Sequence, residues 1–263
     1  MIVTPRFVFL HLHKSGGTFV NEALLRHEPG AYLAGYHWPR ARIPAASVHL
    51  PVFGLVRNPF DYYLSWDAFQ RARPTPNALH GVLSEGGTLG FAATLRRMLS
   101  LGCDDALLEH VCASLPRDYA NHGLNLPGPV LRAIRGTGLG FYSFLFRHLY
   151  GDRRDVHIAR MERMRVELPA HMTAAGVPAG GALLAFLGSA PPRNASAHPP
   201  AAGAYDAALR ALVADRDRVP LERFGYAAAS EASRSQVGVM RGSTDSTSCS
   251  RRRHLSGAGA ECV

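Results

Sequence analysis

A strand-like run that ends in a glycine-rich turn constrains this chain more than any other stretch. Residues 6–12 are mostly apolar and predict a buried strand, and residues 17–27 have the spacing of a helix. The turn between them, residues 14–18, reads Lys-Ser-Gly-Gly-Thr. This order favours an anion site, because a helix N-terminus offers free N–H groups and a partial positive charge. Thr18 can cap the helix or bond a phosphate oxygen.

The turn also holds an unusual basic residue. The chain has 29 lysines and arginines in total, and Lys14 is the only lysine among them. A composition biased toward arginine explains why lysine is scarce, but not why it persists in this turn. Lysine is a compact point charge and arginine a planar fork, so the two differ at an anion site. We therefore interpret Lys14 as a functional cation.

The turn is not the P-loop of the nucleoside triphosphatases. That motif needs a glycine, four further residues and then Gly-Lys-Ser/Thr. Here Lys14 precedes both Gly16 and Gly17, whereas both glycines of the motif precede its lysine. The spacing therefore excludes the motif.

A second strand-to-helix turn carries further candidates. Residues 51–57 form another apolar run, which ends in Arg57 and continues as Asn-Pro. An arginine at a strand end can hold a phosphate through two parallel hydrogen bonds, and a proline can open the following helix. Ser65 lies eight residues after Arg57. Its hydroxyl can reach the same phosphate if the connecting loop folds back.

The two turns together resemble the cofactor motifs of the sulfotransferases that use 3′-phosphoadenosine 5′-phosphosulfate (PAPS). Many members read His-Ile-Pro-Lys-Thr-Gly-Gly-Thr, where residues 11–18 here read His-Leu-His-Lys-Ser-Gly-Gly-Thr. The departures are His13 for proline and Ser15 for threonine. The segment 57–65 is similar to the family's 3′-phosphate motif. The resemblance covers residues 6–226 in outline and is specific only at these two motifs.

The resemblance implies an enzyme that moves a sulfuryl group from PAPS to an acceptor hydroxyl by in-line displacement, with no metal. Lys14 would neutralise charge on the bridging oxygen as 3′,5′-ADP leaves. The cofactor residues that it implies are Lys14, Ser15, Gly16, Gly17, Thr18, Arg57 and Ser65.

A histidine between the two motifs is the candidate general base. His37 follows a short predicted strand at residues 32–36, and the family often places its base in this segment. The ordinary pKa of histidine lies near neutrality, which suits removal of a hydroxyl proton. Other interpretations stay open: one is that His37 packs beside Trp38, and another is that the base is His13 or a carboxylate such as Asp67.

The rest of the chain alternates strands and helices. This alternation, with ligand turns at the carboxyl ends of strands, predicts an α/β fold with a P-loop-like parallel sheet flanked by helices, the sulfotransferase fold. Segments 77–87 and 116–139 are expected to be irregular, and the second is a candidate acceptor or lid region. The remaining predicted elements are a strand at 156–159 and helices at 59–72, 88–100, 104–115, 141–150, 160–176, 181–188 and 204–219.

The composition changes after residue 226. Residues 1–226 are predicted to form one sulfotransferase domain. Residues 227–263 are rich in Ser, Gly, Thr and Arg, and we expect a disordered tail there. A loop at 191–196 is similar to a family segment that closes over the adenosine.

Charge and cysteine content narrow the partners. The net charge of +9 suits an anionic nucleotide or glycan, and no RNA-binding, zinc-finger or basic-zipper pattern accompanies it. We therefore expect a small-molecule or glycan acceptor with a hydroxyl, and not a nucleic acid. The four cysteines lack CxxC spacing, which argues against a metal site and favours reduced thiols in a cytoplasmic protein. No apolar stretch is long enough for a membrane span.

Two other functions stay open at this point. One is a small-molecule kinase of P-loop-like fold, which a requirement for magnesium would favour. The other is a non-catalytic nucleotide-binding protein of the same fold, which a large distance between His37 and Lys14 would favour.

Overall fold

One five-stranded sheet organises the protein. The computed structural model describes residues 1–152, 155–191 and 201–226. The sheet has the strand order β3-β1-β2-β4-β5. Its strands are β1 (Ile2–Val3), β2 (Val8–Leu10), β3 (Tyr32–Leu33), β4 (Val52–Val56) and β5 (Val156–Arg160).

The sheet is mixed, so the prediction of a parallel sheet is wrong at one edge. Strands β2, β4 and β5 are parallel, with Val8 opposite Val52 in the first pair. Strand β1 runs antiparallel to both β2 and β3. A tight turn joins β1 to β2, with Thr4 N–H donating to the carbonyl of Phe7 at 3.0 Å. Such a turn can connect only antiparallel strands, and two-residue strands are too short to show a periodic pattern.

Helices cover both faces of the sheet. The predicted helices at 17–27 and 141–150 are confirmed, and the others, apart from that at 204–219, differ by a few residues at their ends. The described helices are α1 (Gly17–His27), α2 (Pro59–Arg71), α3 (Ala78–Leu83), α4 (Phe91–Ser100), α5 (Asp105–Ser114), α6 (Gly128–Leu131), α7 (Phe141–Tyr150), α8 (Met164–Ala174), α9 (Gly181–Ser189), α10 (Ala201–Ala204), α11 (Ala207–Arg216) and α12 (Arg218–Arg223).

Each face of the sheet has its own core. Alternate side chains of a strand point to opposite faces, so neighbouring residues enter different cores. One core joins the sheet to α2 and α7, and the other joins it to α1, α8 and α9. Both faces are covered, which explains why the parallel strands β2 and β4 are apolar throughout. The first core includes Val8, Leu10, Val52, Val56 and Val156, and the second includes Phe9, Phe53, Leu55 and Ala159.

Two segments differ from their predictions. The expected loop at 77–87 contains α3, because Asn77 caps it by accepting a hydrogen bond from His80 N–H at 2.9 Å. The expected helix at 204–219 is broken at Asp217. The buried carboxylate of Asp217 accepts from Ser143 N–H at 2.8 Å and from the Tyr63 hydroxyl at 2.6 Å, so it caps α7.

The region 116–139 is largely irregular, as expected, with only α6 and a 3₁₀ turn at Arg132–Ile134. Residues 192–196 of the predicted adenosine loop, and the predicted tail at 227–263, lie outside the described residues. No helix within the described ranges is both long and apolar enough to cross a membrane. Cys103 and Cys112 are free thiols, and the cytoplasmic location stays a prediction.

Candidate anion-binding site

The candidate residues converge on one edge of the sheet. The parallel strands β2, β4 and β5 end side by side. The turn at 14–18 follows β2, Arg57 follows β4, and a 3₁₀ turn at Met161–Arg163 follows β5. Ligands of open α/β sheets bind at this carboxyl edge.

The turn presents an open helix end. Lys14 and Gly16 have φ angles of 52° and 77°, in the left-handed region. Gly16 is the N-cap of α1, and no side chain caps the helix there. Thr18 lies inside the first turn of α1, so the suggestion that it caps the helix is wrong. The first N–H groups of α1 therefore have no side-chain acceptor, which is the arrangement that attracts an anion.

Close packing requires both glycines of the turn. A Cβ atom on Gly17 would collide with the ring of His11, and one on Gly16 would lie 2.9 Å from Cγ of Met161. The positive φ of Gly16 adds a second reason for glycine there. The turn is thus held against the residues that flank β2 and β5.

Replacing Gly17 with alanine is expected to destabilise the fold by about 1–3 kcal/mol, because the His11 ring or the first turn of α1 must move. The urea midpoint of unfolding measures this. Gly90→Ala is the matched control, since Gly90 also lies at the start of a helix and a Cβ there meets open space. Equal midpoints for the two variants would contradict the expected collision.

Lys14 lies at the mouth of the turn. Its Nζ is 4.1 Å from the centroid of the Phe69 ring. Burial and the neighbouring Arg57 guanidinium lower the pKa of Lys14 from 10.5 to about 8. The ammonium is therefore present at neutral pH but is held less firmly than on a surface lysine.

Arg57 joins the two predicted motifs. Its Nη1 donates to the carbonyl of Lys14 at 3.1 Å, and its backbone N–H donates to the Tyr142 hydroxyl at 2.8 Å. Burial lowers the pKa of Arg57, against the attraction of the Asp61 and Glu162 carboxylates. The buried Nε has no hydrogen-bond acceptor within the described residues. A buried guanidinium N–H without a partner is costly, and an anionic ligand would supply the missing acceptor.

Tyr142 is a residue of the site that sequence reasoning missed. Its hydroxyl accepts from Arg57 N–H and lies 3.4 Å from Oγ of Ser15, which in turn donates to the carbonyl of His13 at 3.1 Å. Each hydroxyl has one proton, so the chain of donors runs from Arg57 through Tyr142 and Ser15 to His13. In sequence Tyr142 belongs to an aromatic helix. The one sequence signal for its role was the hydroxyl group, because a buried tyrosine hydroxyl usually forms a hydrogen bond.

Glu162 occupies the entrance of α2. One carboxylate oxygen accepts from Asn58 N–H at 3.0 Å, and the other accepts from the Tyr226 hydroxyl at 2.8 Å. The N-terminus of α2 thus carries an anion of the protein itself. At the N-terminus of α1, by contrast, no side chain of the described residues forms a capping hydrogen bond.

His37 lies beside the turn and is almost fully buried. Its Nδ1 donates to the carbonyl of His11 at 2.8 Å, and its ring stacks on His13 with centroids 3.6 Å apart. Burial and the two histidines hold the pKa of His37 well below 6.5. The ring is therefore neutral at pH 7, and Nε2 has the free lone pair. Within the described residues, its ring contacts are with His11, His13 and Tyr36.

The rival bases are less suitable. Burial lowers the pKa of His13 to about 4, as it also lowers that of His37, but Nε2 of His13 bonds the carbonyl of Leu124 and its Nδ1 is buried. Asp67 accepts from Arg71 at 2.7 Å and lies 3.1 Å from Nε2 of His80. Burial raises the pKa of Asp67, but these hydrogen bonds outweigh it and leave the pKa lowered. Asp67 therefore belongs to an ion-pair network on α2.

The predicted phosphate ligand Ser65 lies inside a helix. It lies on the buried side of α2 with 2% of its surface exposed, roughly 9 Å along the helix from its first residue. Its contact with a phosphate stays a prediction.

Two of the candidate site residues have a strained backbone conformation. Lys14 and His37 both have positive φ, which is uncommon for residues of their kind. The side chain of Asn121 accepts from Tyr36 N–H at 2.6 Å, and that of Asn125 donates to the Tyr36 carbonyl. The region 116–139 thus packs on the turn that carries His37. Strained residues are enriched at functional sites.

Comparison of the chain with protein-family models, with curated proteins and with solved structures gives no match. In the ranges that the structure describes, no group of three or more His, Cys, Asp and Glu side chains is arranged to hold a metal ion. The geometry defines an α/β protein with two cationic side chains, Lys14 and Arg57, at the carboxyl edge of its parallel strands.

Proposed function

We propose that the chain is a sulfotransferase that moves the sulfuryl group of PAPS to an acceptor hydroxyl. The observation that carries the proposal is the meeting of Lys14 and Arg57 at the carboxyl ends of adjacent parallel strands. A second observation supports it: among the described residues, Nε of Arg57, the arginine of the second motif, has no hydrogen-bond acceptor. The sequence resemblance supplies the identity of the anion.

The donor would lie across the two turns. The N–H groups of residues 15–18 would hold its 5′-phosphate at the open end of α1. Arg57, with Ser65 behind it, would hold the 3′-phosphate. The contact between Arg57 and the Lys14 carbonyl would then couple binding of the 3′-phosphate to the position of the turn.

The transfer itself needs positioned charge and one base. The acceptor oxygen attacks sulfur while the bond from sulfur to the 5′-phosphate oxygen breaks, and 3′,5′-ADP leaves. Lys14 neutralises the charge on the departing oxygen, as donors do for other developing oxyanions. His37 takes the acceptor proton at Nε2, because Nδ1 is already a donor to the His11 carbonyl.

The acceptor would approach between the His37 turn and the region 116–139. Asn121, Asn125 and Leu124 attach that region to Tyr36 and His13. It would therefore form one wall of the acceptor site next to the proposed base.

The rate should depend on pH through Lys14. The pKa of Lys14 is lowered to about 8, so the ammonium is present below pH 8 and lost above it. We expect kcat/KM to fall about tenfold per pH unit above 8, as for loss of one essential proton. A pH profile from 6 to 10 measures this. Activity that stays level to pH 10 would contradict the role of Lys14.

The function is tested by incubating the protein with PAPS and a mixture of sugar, phenol and alcohol acceptors in EDTA. We expect 3′,5′-ADP to be released together with a sulfated product. ATP with magnesium is the comparator. Phosphoryl transfer from ATP, without transfer from PAPS, would favour the kinase instead.

A further inference from the structure

The ring of Phe69 carries two cations at the edge of the candidate site. Phe69 lies on α2 and is half-buried. Nζ of Lys14 is 4.1 Å from the ring centroid, and Cζ of Arg73 is 5.5 Å from it. Across the described ranges, neither cation forms an ion pair with a carboxylate, whereas most arginines of the surface do. The ring is therefore the main partner of the Lys14 ammonium.

The surroundings of Lys14 otherwise oppose its charge. Burial disfavours the ammonium, and the guanidinium of Arg57 after β4 repels it. Arg73, just beyond α2, adds a second like charge near the same ring. The carboxylates of Asp61 on α2 and Glu162 after β5 act on Arg57. An aromatic face attracts a cation more strongly as water is removed, so Phe69 offsets these effects.

We propose that Phe69 is a positioning residue, whose ring stabilises the Lys14 ammonium and holds it at the mouth of the turn. When an anion binds, the ammonium leaves the ring and contacts the anion. The four-carbon stem of lysine allows the ammonium to swing from the ring to a nearby oxygen. The anion's identity as the phosphosulfate of PAPS rests on the proposed function. The contact between the Lys14 ammonium and the Phe69 ring does not depend on the proposed function.

The single lysine makes the proposal directly measurable. Protein that contains ¹³C,¹⁵N-labelled lysine gives a single set of lysine side-chain NMR signals, that of Lys14. Protons above an aromatic face are shifted upfield, so the Hε signal of the wild type should lie upfield of that of a free lysine. A pH titration of the same signal gives the pKa of Lys14. An unshifted Hε signal in the wild type would overturn the proposal without any variant.

The variants test the ring itself. In Phe69→Leu we expect the upfield shift to vanish and the pKa of Lys14 to fall by about half a unit or more. Phe69→Tyr should restore both, since it restores an aromatic face. Phe224→Leu is the matched control, because Phe224 also carries a cation, Arg223, at 5.4 Å from its centroid. A pKa of Lys14 that is equal in Phe69→Leu and the wild type would overturn the proposal.

Addition of 3′,5′-ADP separates this proposal from the proposed function. If the role of Phe69 and the proposed function both hold, 3′,5′-ADP moves the Hε signal downfield and raises the pKa of Lys14. Its affinity for Phe69→Leu is then lower at pH 8 than at pH 6.5. If the ring-dependent shift and pKa are present but 3′,5′-ADP changes neither, the donor assignment fails and the role of Phe69 stands.

Discussion

Replacement of Lys14 with alanine is expected to lower kcat for sulfuryl transfer by about two to three orders of magnitude, roughly 3–4 kcal/mol of transition-state stabilisation. In the proposed mechanism, Lys14 is the cation that neutralises the charge developing on the leaving oxygen. Steady-state kinetics with PAPS and the acceptor found in the mixture measure the loss. Activity within tenfold of the wild type would contradict this role.

Lys14→Arg is the matched control for charge. It keeps a cation at the mouth of the turn but replaces a compact ammonium with a planar fork. We expect it to bind 3′,5′-ADP nearly as well as the wild type and to transfer the sulfuryl group poorly. The urea midpoint of both variants should lie close to that of the wild type, because the partly exposed Lys14 side chain forms no ion pair within the described residues and its contact with Phe69 is worth only about 1 kcal/mol or less.

Replacement of Arg57 with alanine is expected to weaken binding of 3′,5′-ADP by about 10- to 100-fold, the value of one or two hydrogen bonds to a charged group. Affinity for 5′-AMP, which lacks the 3′-phosphate, should change little. Calorimetric titration of wild type and variant with both nucleotides gives the four dissociation constants. An equal loss for both nucleotides would instead mean that Arg57 acts only by holding the Lys14 carbonyl.

Two further variants refine this result. Arg26→Ala is the control for loss of a positive charge, since Arg26 pairs with Glu22 on α1. It should leave both affinities unchanged. Tyr142→Phe removes the hydroxyl that joins Ser15 to Arg57 and should weaken 3′,5′-ADP binding less than loss of the guanidinium does.

Local signals predicted much of the architecture. The strands β2 and β4 are apolar because both faces of the sheet are covered, and the turn at 14–18 leads into α1 as expected. The antiparallel strand β1 was missed because two residues show no periodicity. Helix α3 was missed because its start depends on one side chain, Asn77, whose role as a cap was not recognised.

The site was predictable only in part, because its contacts join residues far apart in the chain. The motifs identified Lys14 and Arg57, but not that the guanidinium of one donates to the carbonyl of the other. Tyr142 was not identified as a site residue, because in sequence it is one of several aromatic residues of a predicted helix. His37 was expected to have a pKa near neutrality, whereas burial among histidines lowers it well below 6.5. Such shifts come from packing, which spacing along a sequence does not reveal.

The lowered pKa of His37 changes what is expected of a base. A histidine that is neutral throughout the physiological range is always ready to accept a proton, but it is a weak base. Sulfuryl transfer would then depend more on the charge of Lys14 than on proton removal. The pH profile should accordingly show its fall on the alkaline side.

The most direct test is calorimetric titration of the wild-type protein with 3′,5′-ADP, 5′-AMP and ATP, each with and without magnesium. If the protein uses PAPS, 3′,5′-ADP binds at least about tenfold more tightly than 5′-AMP, and magnesium has no effect, since the difference is the set of hydrogen bonds from Arg57 to the 3′-phosphate. Equal affinity for 3′,5′-ADP and 5′-AMP, or tightest binding of ATP with magnesium, would contradict the assignment.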